Sequence, residues 1–178
     1  MIAERVLRVG ALVCAAAFTH LATAPIVLAS PDDRPIADGT FTSPDDPGWI
    51  FFRPQGFDGS GCGMGPDGTV GCDIVPARWG EGTPVQAGVP GPPGFYSCEG
   101  RRCPLPPPDV TQTVVSSQAP AAYVVSTTES FTRDVDTLPA GYRLVNGDAW
   151  CSLSEQGTLR CVSGPNGFTL NSLYGILD

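Results

Sequence analysis

The sequence predicts a mainly β protein, a small single domain of antiparallel hairpins in a meander, stapled by disulfides and interrupted by one long Pro/Gly-rich loop. Three observations predict it. Six cysteines remain once an N-terminal leader is set aside. Two of them begin C-x9-C steps that share one plan. No segment keeps a helical hydrophobic period over three turns, whereas short aromatic and β-branched runs recur between turn residues.

The leader is read from its charge and its apolar run. Arg5 and Arg8 precede the unbroken apolar stretch Val9 to Phe18, and a second apolar stretch, Leu21 to Ala29, ends in small residues. This is the pattern of a secretory signal peptide, with Val27 and Ala29 at the two recognition positions. Residues 1–29 are therefore expected to be removed; cleavage after Ala24 would leave Pro25 at the new N-terminus, which the peptidase handles badly. A retained anchor is the weaker reading, because a spanning helix needs about 20 predominantly apolar residues and His20 and Pro25 interrupt this one. Cys14 follows Val13 inside the apolar run, which excludes it as a lipid-attachment site.

Removal leaves 149 of the 178 residues, enough for one domain with a modest core. Glu4, Arg5 and Arg8 go with the leader, so seventeen carboxylates and eight arginines remain, a net charge of −9 with no lysine. An acidic chain without basic clusters argues against nucleic acid and anionic membrane surfaces as partners, and no later segment is apolar enough to span a bilayer. The one histidine, His20, also goes with the leader. A mature chain without histidine cannot run a Ser-His-Asp or Cys-His mechanism or bind zinc through imidazole. No cofactor is expected.

The mature cysteines are Cys62, Cys72, Cys98, Cys103, Cys151 and Cys161. An even number in an exported chain reads as a disulfide framework. CGMGPDGTVGC and CSLSEQGTLRC correspond at an offset of 89: Gly68-Thr69 with Gly157-Thr158, Met64 with Leu153, and Val70 with Leu159. If Cys62 faces Cys72, the loop is Pro66-Asp67-Gly68; if Cys151 faces Cys161, it is Glu155-Gln156-Gly157. Each is a three-residue loop with glycine last, where a type I turn with a G1 bulge needs a positive φ. Met64 then meets Val70 and Leu153 meets Leu159, so each cysteine pair shares a face with an apolar pair. The cysteines fall at non-hydrogen-bonded positions, where the short Cα separation still permits a disulfide. Each bond closes a loop of about 11 residues, worth on the order of 2–3 kcal/mol in the chain-entropy model. Cys98 and Cys103 are left to close CEGRRC locally. Zinc is the alternative for such cysteines, but it needs pairs two to four apart.

Along the chain, residues 30–48 are turn-rich and polar and are expected to be flexible, ordering near Phe41. Residues 49–178 form the β-rich domain. Trp49 to Arg53 reads as a strand, Val75 to Pro108 as a proline- and glycine-dominated insertion (the domain's loop at 75–110). Thr111–Ser116, Ala122–Thr127 and Phe131–Val135 read as strands. Tyr142–Val145 follows, with Asn146-Gly147 as a two-residue hairpin turn, then the second cysteine hairpin, Gly167–Leu170 and Leu173–Leu177.

Few residues invite a chemical role. Gly63 to Gly68 matches the dinucleotide pattern G-x-G-x-x-G, but a strand follows where that motif needs a helix. The alternation Gly59, Gly61, Gly63, Gly65 leaves one strand face bare, to be filled by a flat side chain such as Trp49 or Trp79, or less readily by a ligand ring. No motif singles out a glycosidase-like carboxylate pair, and Asp134-x-Asp136 is a fragment of a calcium loop without its other ligands. Counting through the Asn146-Gly147 turn places Arg143 opposite Trp150, with Arg160 on the same side across from Ser152. Arg143, Trp150 and Arg160 are the candidate binding patch; ordinary surface packing of arginine on tryptophan is the bland alternative.

FTSPDDPGWIFFRPQG and CGMGPDGTVGCDIVP, then QAPAAY, FTRDVDTLPAGYRL and the closing C-x9-C with GPNGFTLNSLYGIL, resemble a family of small exported proteins from mycobacteria and related actinobacteria. The resemblance covers most of Thr40 to Leu177, except the middle loop, where Cys98 and Cys103 look like a local addition. In that family a histidine commonly precedes the closing Gly-Phe; Asn166 stands there in this chain. The resemblance implies export and a cysteine-pinned β fold and no assigned activity. The expectation is thus a secreted or cell-envelope protein, non-enzymatic, that binds an envelope component or another exported protein. A carboxylate-dependent glycan hydrolase and a purely structural surface protein are the alternatives.

Overall fold

The two cysteine hairpins are the centres from which the fold grows. In the computed structural model, which describes residues 32–76, 106–171 and 174–178 and the backbone of 95–98 and 101–104, β2 (Cys62–Met64) pairs antiparallel with β3 (Val70–Cys72). The register is the expected one: Cys62 opposite Cys72 and Met64 opposite Val70. β10 (Ala149–Leu153) and β11 (Leu159–Ser163) repeat it, with Cys151 opposite Cys161 and Leu153 opposite Leu159. Both cysteine pairs are disulfide-bonded, with Cα separations of 4.0 and 4.1 Å, as close non-hydrogen-bonded partners require. Gly68 (φ 81°) and Gly157 (φ 73°) take the left-handed position that ends each loop. The turns close alike: Gly68 N donates to Gly65 O, and Gly157 N to Ser154 O.

Each hairpin becomes the middle of a meander. Around the first lie β1 (Ile50–Pro54), β6 (Gln112–Ser116) and β7 (Ala119–Val124), in the order β7-β6-β3-β2-β1, all antiparallel. Around the second lie β9 (Arg143–Asn146), β12 (Asn166–Leu170) and β13 (Gly175–Leu177), in the matching order β13-β12-β11-β10-β9. Each meander also receives a parallel edge neighbour from the segment that leads toward the other. β8 (Thr137–Leu138) runs into β9 but pairs with β1. Pro35 to Ala37 runs toward β1 but lies along β9, with a parallel bridge between Ile36 and Arg143. The two halves are therefore alike in strand order, disulfide, turn and exchanged edge.

The sheets pack face to face over one core. Phe52, Cys62, Met64, Val70, Cys72 and Leu138 of the six-stranded sheet meet Leu144, Cys151, Leu153, Leu159, Cys161, Phe168 and Leu170 of the five-stranded sheet, all buried. Alternation along each strand puts these residues inside and their neighbours outside. Polar side chains tie the sheets at the margins. Asn146 Nδ2 donates to Gly48 O and Met64 O, both at 2.9 Å; Asn166 Nδ2 donates to Ser116 O at 2.9 Å; and Ser163 Oγ donates to Gly68 O.

Four expectations are corrected. The lead-in at 30–48 belongs to the folded unit from Asp32 on: Asp32, Ala37 and Phe41 are buried, Ala37 N donates to Arg143 O, and Phe51 N to Phe41 O. The 75–110 insertion contains a hairpin, β4 (Phe95–Cys98) with β5 (Arg101–Pro104), pairing Tyr96 with Cys103 and Cys98 with Arg101; the cysteine side chains there, like Trp79 and the leader, lie outside the described residues. Phe131–Val135 is no strand. Its backbone is fixed by side chains instead, because the Asp73 carboxylate accepts from Phe131 N and Thr132 Oγ1.

The fourth correction moves the β9–β10 turn by one residue. Asn146 pairs with Ala149, so Gly147 and Asp148 are the central residues. Gly147 has φ 59° and Asp148 does not share the left-handed region, which is the glycine-first pattern of a type II′ turn. Asn146 stays in the strand while its amide reaches the opposite sheet. Arg143 consequently lies opposite Ser152, and Trp150 lies opposite Val145.

Candidate functional site

Two outer faces result, built on corresponding positions. Along β2, β3 and the residues that flank β2, the glycines on the outward side are Gly61, Gly63, Gly65 and Gly71. Their counterparts 89 positions on are Trp150, Ser152, Ser154 and Arg160. The inward positions keep their character in both halves, so the difference is confined to the face that does not make the core.

The first outer face is closed by the chain itself. A Cβ at Gly63 would stand 2.9 Å from the Phe51 ring, one at Gly65 would stand 2.9 Å from Trp49, and one at Gly71 would enter the Phe131 ring. Trp49 stacks on Phe51 with centroids 5.6 Å apart, and Phe131 lies tilted 6.3 Å from Trp49. Arg133 covers this layer, 4.6 Å above the Phe51 ring, and its Nε donates to Asp46 at 3.0 Å. The bare glycine face is filled by flat side chains, Trp49 among them. A groove beside it, lined by Ser60, Asp73, Thr111, Thr128 and Glu129, offers two carboxylates, of which Asp73 is already occupied by Gln112 Nε2, Phe131 N and Thr132 Oγ1.

The second outer face presents side chains. Trp150 is half-buried and Arg160 exposed, with the guanidinium 5.7 Å from the indole centroid. Val145, opposite Trp150, is also exposed. One register row runs across the sheet: Arg143, Ser152, Arg160, Thr169 and Ile176. Arg143 and Arg160 thus flank Ser152 from adjacent strands. Arg143 is half-buried and its Nε is enclosed without a hydrogen-bond partner among the described residues, so it stands apart from the exposed Trp150–Arg160 pair.

Asp32 and Arg34 were not legible as part of this face. They cross Ser152 and bury it: Arg34 Nη1 donates to Ser152 Oγ at 2.9 Å, and Arg34 pairs with Asp32 through both its backbone N–H and its guanidinium. Burial pushes the Asp32 carboxyl up, but the Ser152 hydroxyl, the Arg34 N–H and the Arg34 charge together bring it below its ordinary value. A shallow concavity opens beside this clasp, lined by Asp33, Arg34, Ser154, Thr158, Arg160 and Thr169. It combines hydroxyls, guanidinium donors and carboxylate acceptors next to an aromatic ring. A glycosidase acid needs a raised pKa; Asp32, ionised and bonded, is the wrong group for that step. Comparisons with protein-family models, curated proteins and solved structures gave no match to this chain.

Proposed function

We propose that this is an exported, non-enzymatic binding module whose contact surface is the outer face of the five-stranded sheet. One observation carries the reading. Corresponding outward positions hold glycines under the chain's own aromatic layer in one half, and Trp150, Ser152, Ser154 and Arg160 in the other. Both sheets solve the same folding problem with the same disulfide hairpin; Ser152 is taken up by the chain's own Arg34, which leaves Trp150 and Arg160 as the part of this face offered to a partner. Tryptophan and arginine are the residues over-represented in binding hot spots. The partner is an envelope component or another exported protein, and the resemblance to small actinobacterial exported proteins supports the same compartment.

The test is a pull-down from envelope fractions with the oxidised mature protein, repeated with a Trp150→Ala, Arg160→Ala double variant. The double variant is expected to keep its disulfides and its unfolding midpoint and to lose the partner. A variant that retains every partner of the parent would overturn the assignment of this face.

A further inference from the structure

Asn146 and Asn166 share two properties. Each is followed by glycine, and each uses its side-chain amide to tie one sheet to the other. We infer that Asn146 is a site of spontaneous modification in the folded protein, converting to aspartate or isoaspartate, and that the conversion releases the tether it makes.

The chemistry needs only water. The backbone nitrogen of Gly147 attacks Cγ of Asn146, the new N–C bond closes a five-membered imide, and the side-chain nitrogen leaves as ammonia with the proton from Gly147. Water then opens the ring at one carbonyl or the other. A following glycine lets this proceed because no Cβ crowds the attacking nitrogen.

The two Asn-Gly pairs sit in opposite surroundings. Gly167 is buried in β12, its N–H donates to Asp178 O at 3.2 Å and its carbonyl accepts from Asp178 N at 2.8 Å. Its nitrogen cannot reach Asn166 Cγ without dismantling that end of the sheet. Gly147 is exposed at the tip of the β9–β10 turn, with φ 59° and, among the described residues, no heavy atom within 4 Å of the position a Cβ would take. There the barrier is the amide itself, which must leave Gly48 O and Met64 O. Two hydrogen bonds of ordinary strength slow the step by about tenfold to a hundredfold relative to the unfolded chain.

The product cannot restore the tether. A carboxylate in place of the amide sets acceptor against acceptor at Gly48 O and Met64 O, and the isoaspartate form adds a backbone carbon to the turn. The hairpin affected carries Val145 and Trp150, so modification loosens one border of the second outer face.

The experiment ages the oxidised protein in mildly alkaline buffer and follows both sites by peptide mapping in heavy-oxygen water, beside a reduced, denaturant-unfolded sample. Unfolded, the two sites should convert at similar rates. Folded, Asn146 should outpace Asn166 by at least about tenfold, since only Asn166 needs strand pairing to open. Equal rates in the folded protein, or protection of Asn146 as complete as that of Asn166, would overturn the inference. Hydrogen exchange on the aged protein tests the consequence: amides of 143–153 should exchange faster than in fresh protein, and unchanged exchange would show that no tether was lost. This readout does not depend on whether an Asn146→Asp variant folds.

Discussion

Gly71→Ala is the sharpest probe of how the first outer face is closed. Gly71 lies mid-strand in β3 without a left-handed φ, so the backbone itself would gain from alanine by roughly 0.5–1 kcal/mol. Space decides the sign instead. The new Cβ would stand 2.6 Å from Phe131 Cε1 and closer still to Cε2 and Cζ, so the ring must leave. Phe131 is 9% exposed, and forfeiting a buried phenylalanine costs about 3–5 kcal/mol. The net expectation is a loss of about 2–4 kcal/mol, or a fall in Tm on the order of 5–15 °C for a chain of this size. Phe131→Ala alone should lose a similar amount. In the Phe131→Ala background, Gly71→Ala should then be neutral or stabilising by up to ~1 kcal/mol. Urea unfolding of the four proteins under oxidising conditions reads the coupling. If Gly71→Ala costs the same with and without the ring, the two residues are additive and the ring does not lie on that glycine.

Three further expectations follow from the same geometry. Cys62, Cys72, Cys151 and Cys161 are wholly buried, so thiol reagents should reduce neither bridge in the native protein, and mass analysis should show reduction only once denaturant unfolds it. Gly157→Ala meets no atom of the described residues within 4 Å but must hold φ 73°, which predicts a purely backbone loss of about 1–2 kcal/mol, recovered in part by Gly157→Asn. Asp32 has a folded pKa below its unfolded value, so its contribution is present above the unfolded pKa of ~3.9 and disappears as pH falls through the lower folded value. Asp32→Asn should accordingly flatten the acid limb of stability against pH below about 4 and leave its shape at neutral pH unchanged; an acid limb identical to that of the parent would refute the clasp.

The hairpin registers were legible because each rests on local chemistry: a cysteine pair, an apolar pair and a terminal loop glycine agree on one alignment. What the sequence hid was non-local. The exchanged edges, β8 on β1 and Pro35 to Ala37 on β9, join segments about a hundred residues apart that carry no pairing signature. Phe131 looks like a strand residue by composition, yet glycines on the neighbouring sheet make a better place for its ring than a ladder would. Asn146-Gly147 carries a strong turn signal, and the one-residue shift arose because the Asn146 amide is needed across the sheet interface. That shift moved Arg143 away from Trp150 while leaving both on the outer face, since a displacement of two partners preserves side-chain alternation.

The means by which the two outer faces are covered also differ in strength, and this bears on the proposed contact surface. The first face lies under Trp49, Phe51 and Phe131, and opening it exposes aromatic area at about 3–5 kcal/mol for a single ring. Ser152 on the second lies under an ion pair whose arginine is 36% exposed, an interaction of the kind worth about 0–1 kcal/mol, together with hydrogen bonds contributing about 1 kcal/mol each. A partner carrying donors and acceptors can replace those bonds with its own, whereas nothing polar can replace the aromatic layer. The disulfides matter to this difference because they hold the strands beneath either cover in register, so that lifting Asp32 and Arg34 would uncover Ser152 between Arg143 and Arg160 in a formed row rather than in a loosened sheet. On the proposed reading, the duplicated hairpin supplies rigidity twice and recognition once, and recognition falls on the half whose cover is held by charge.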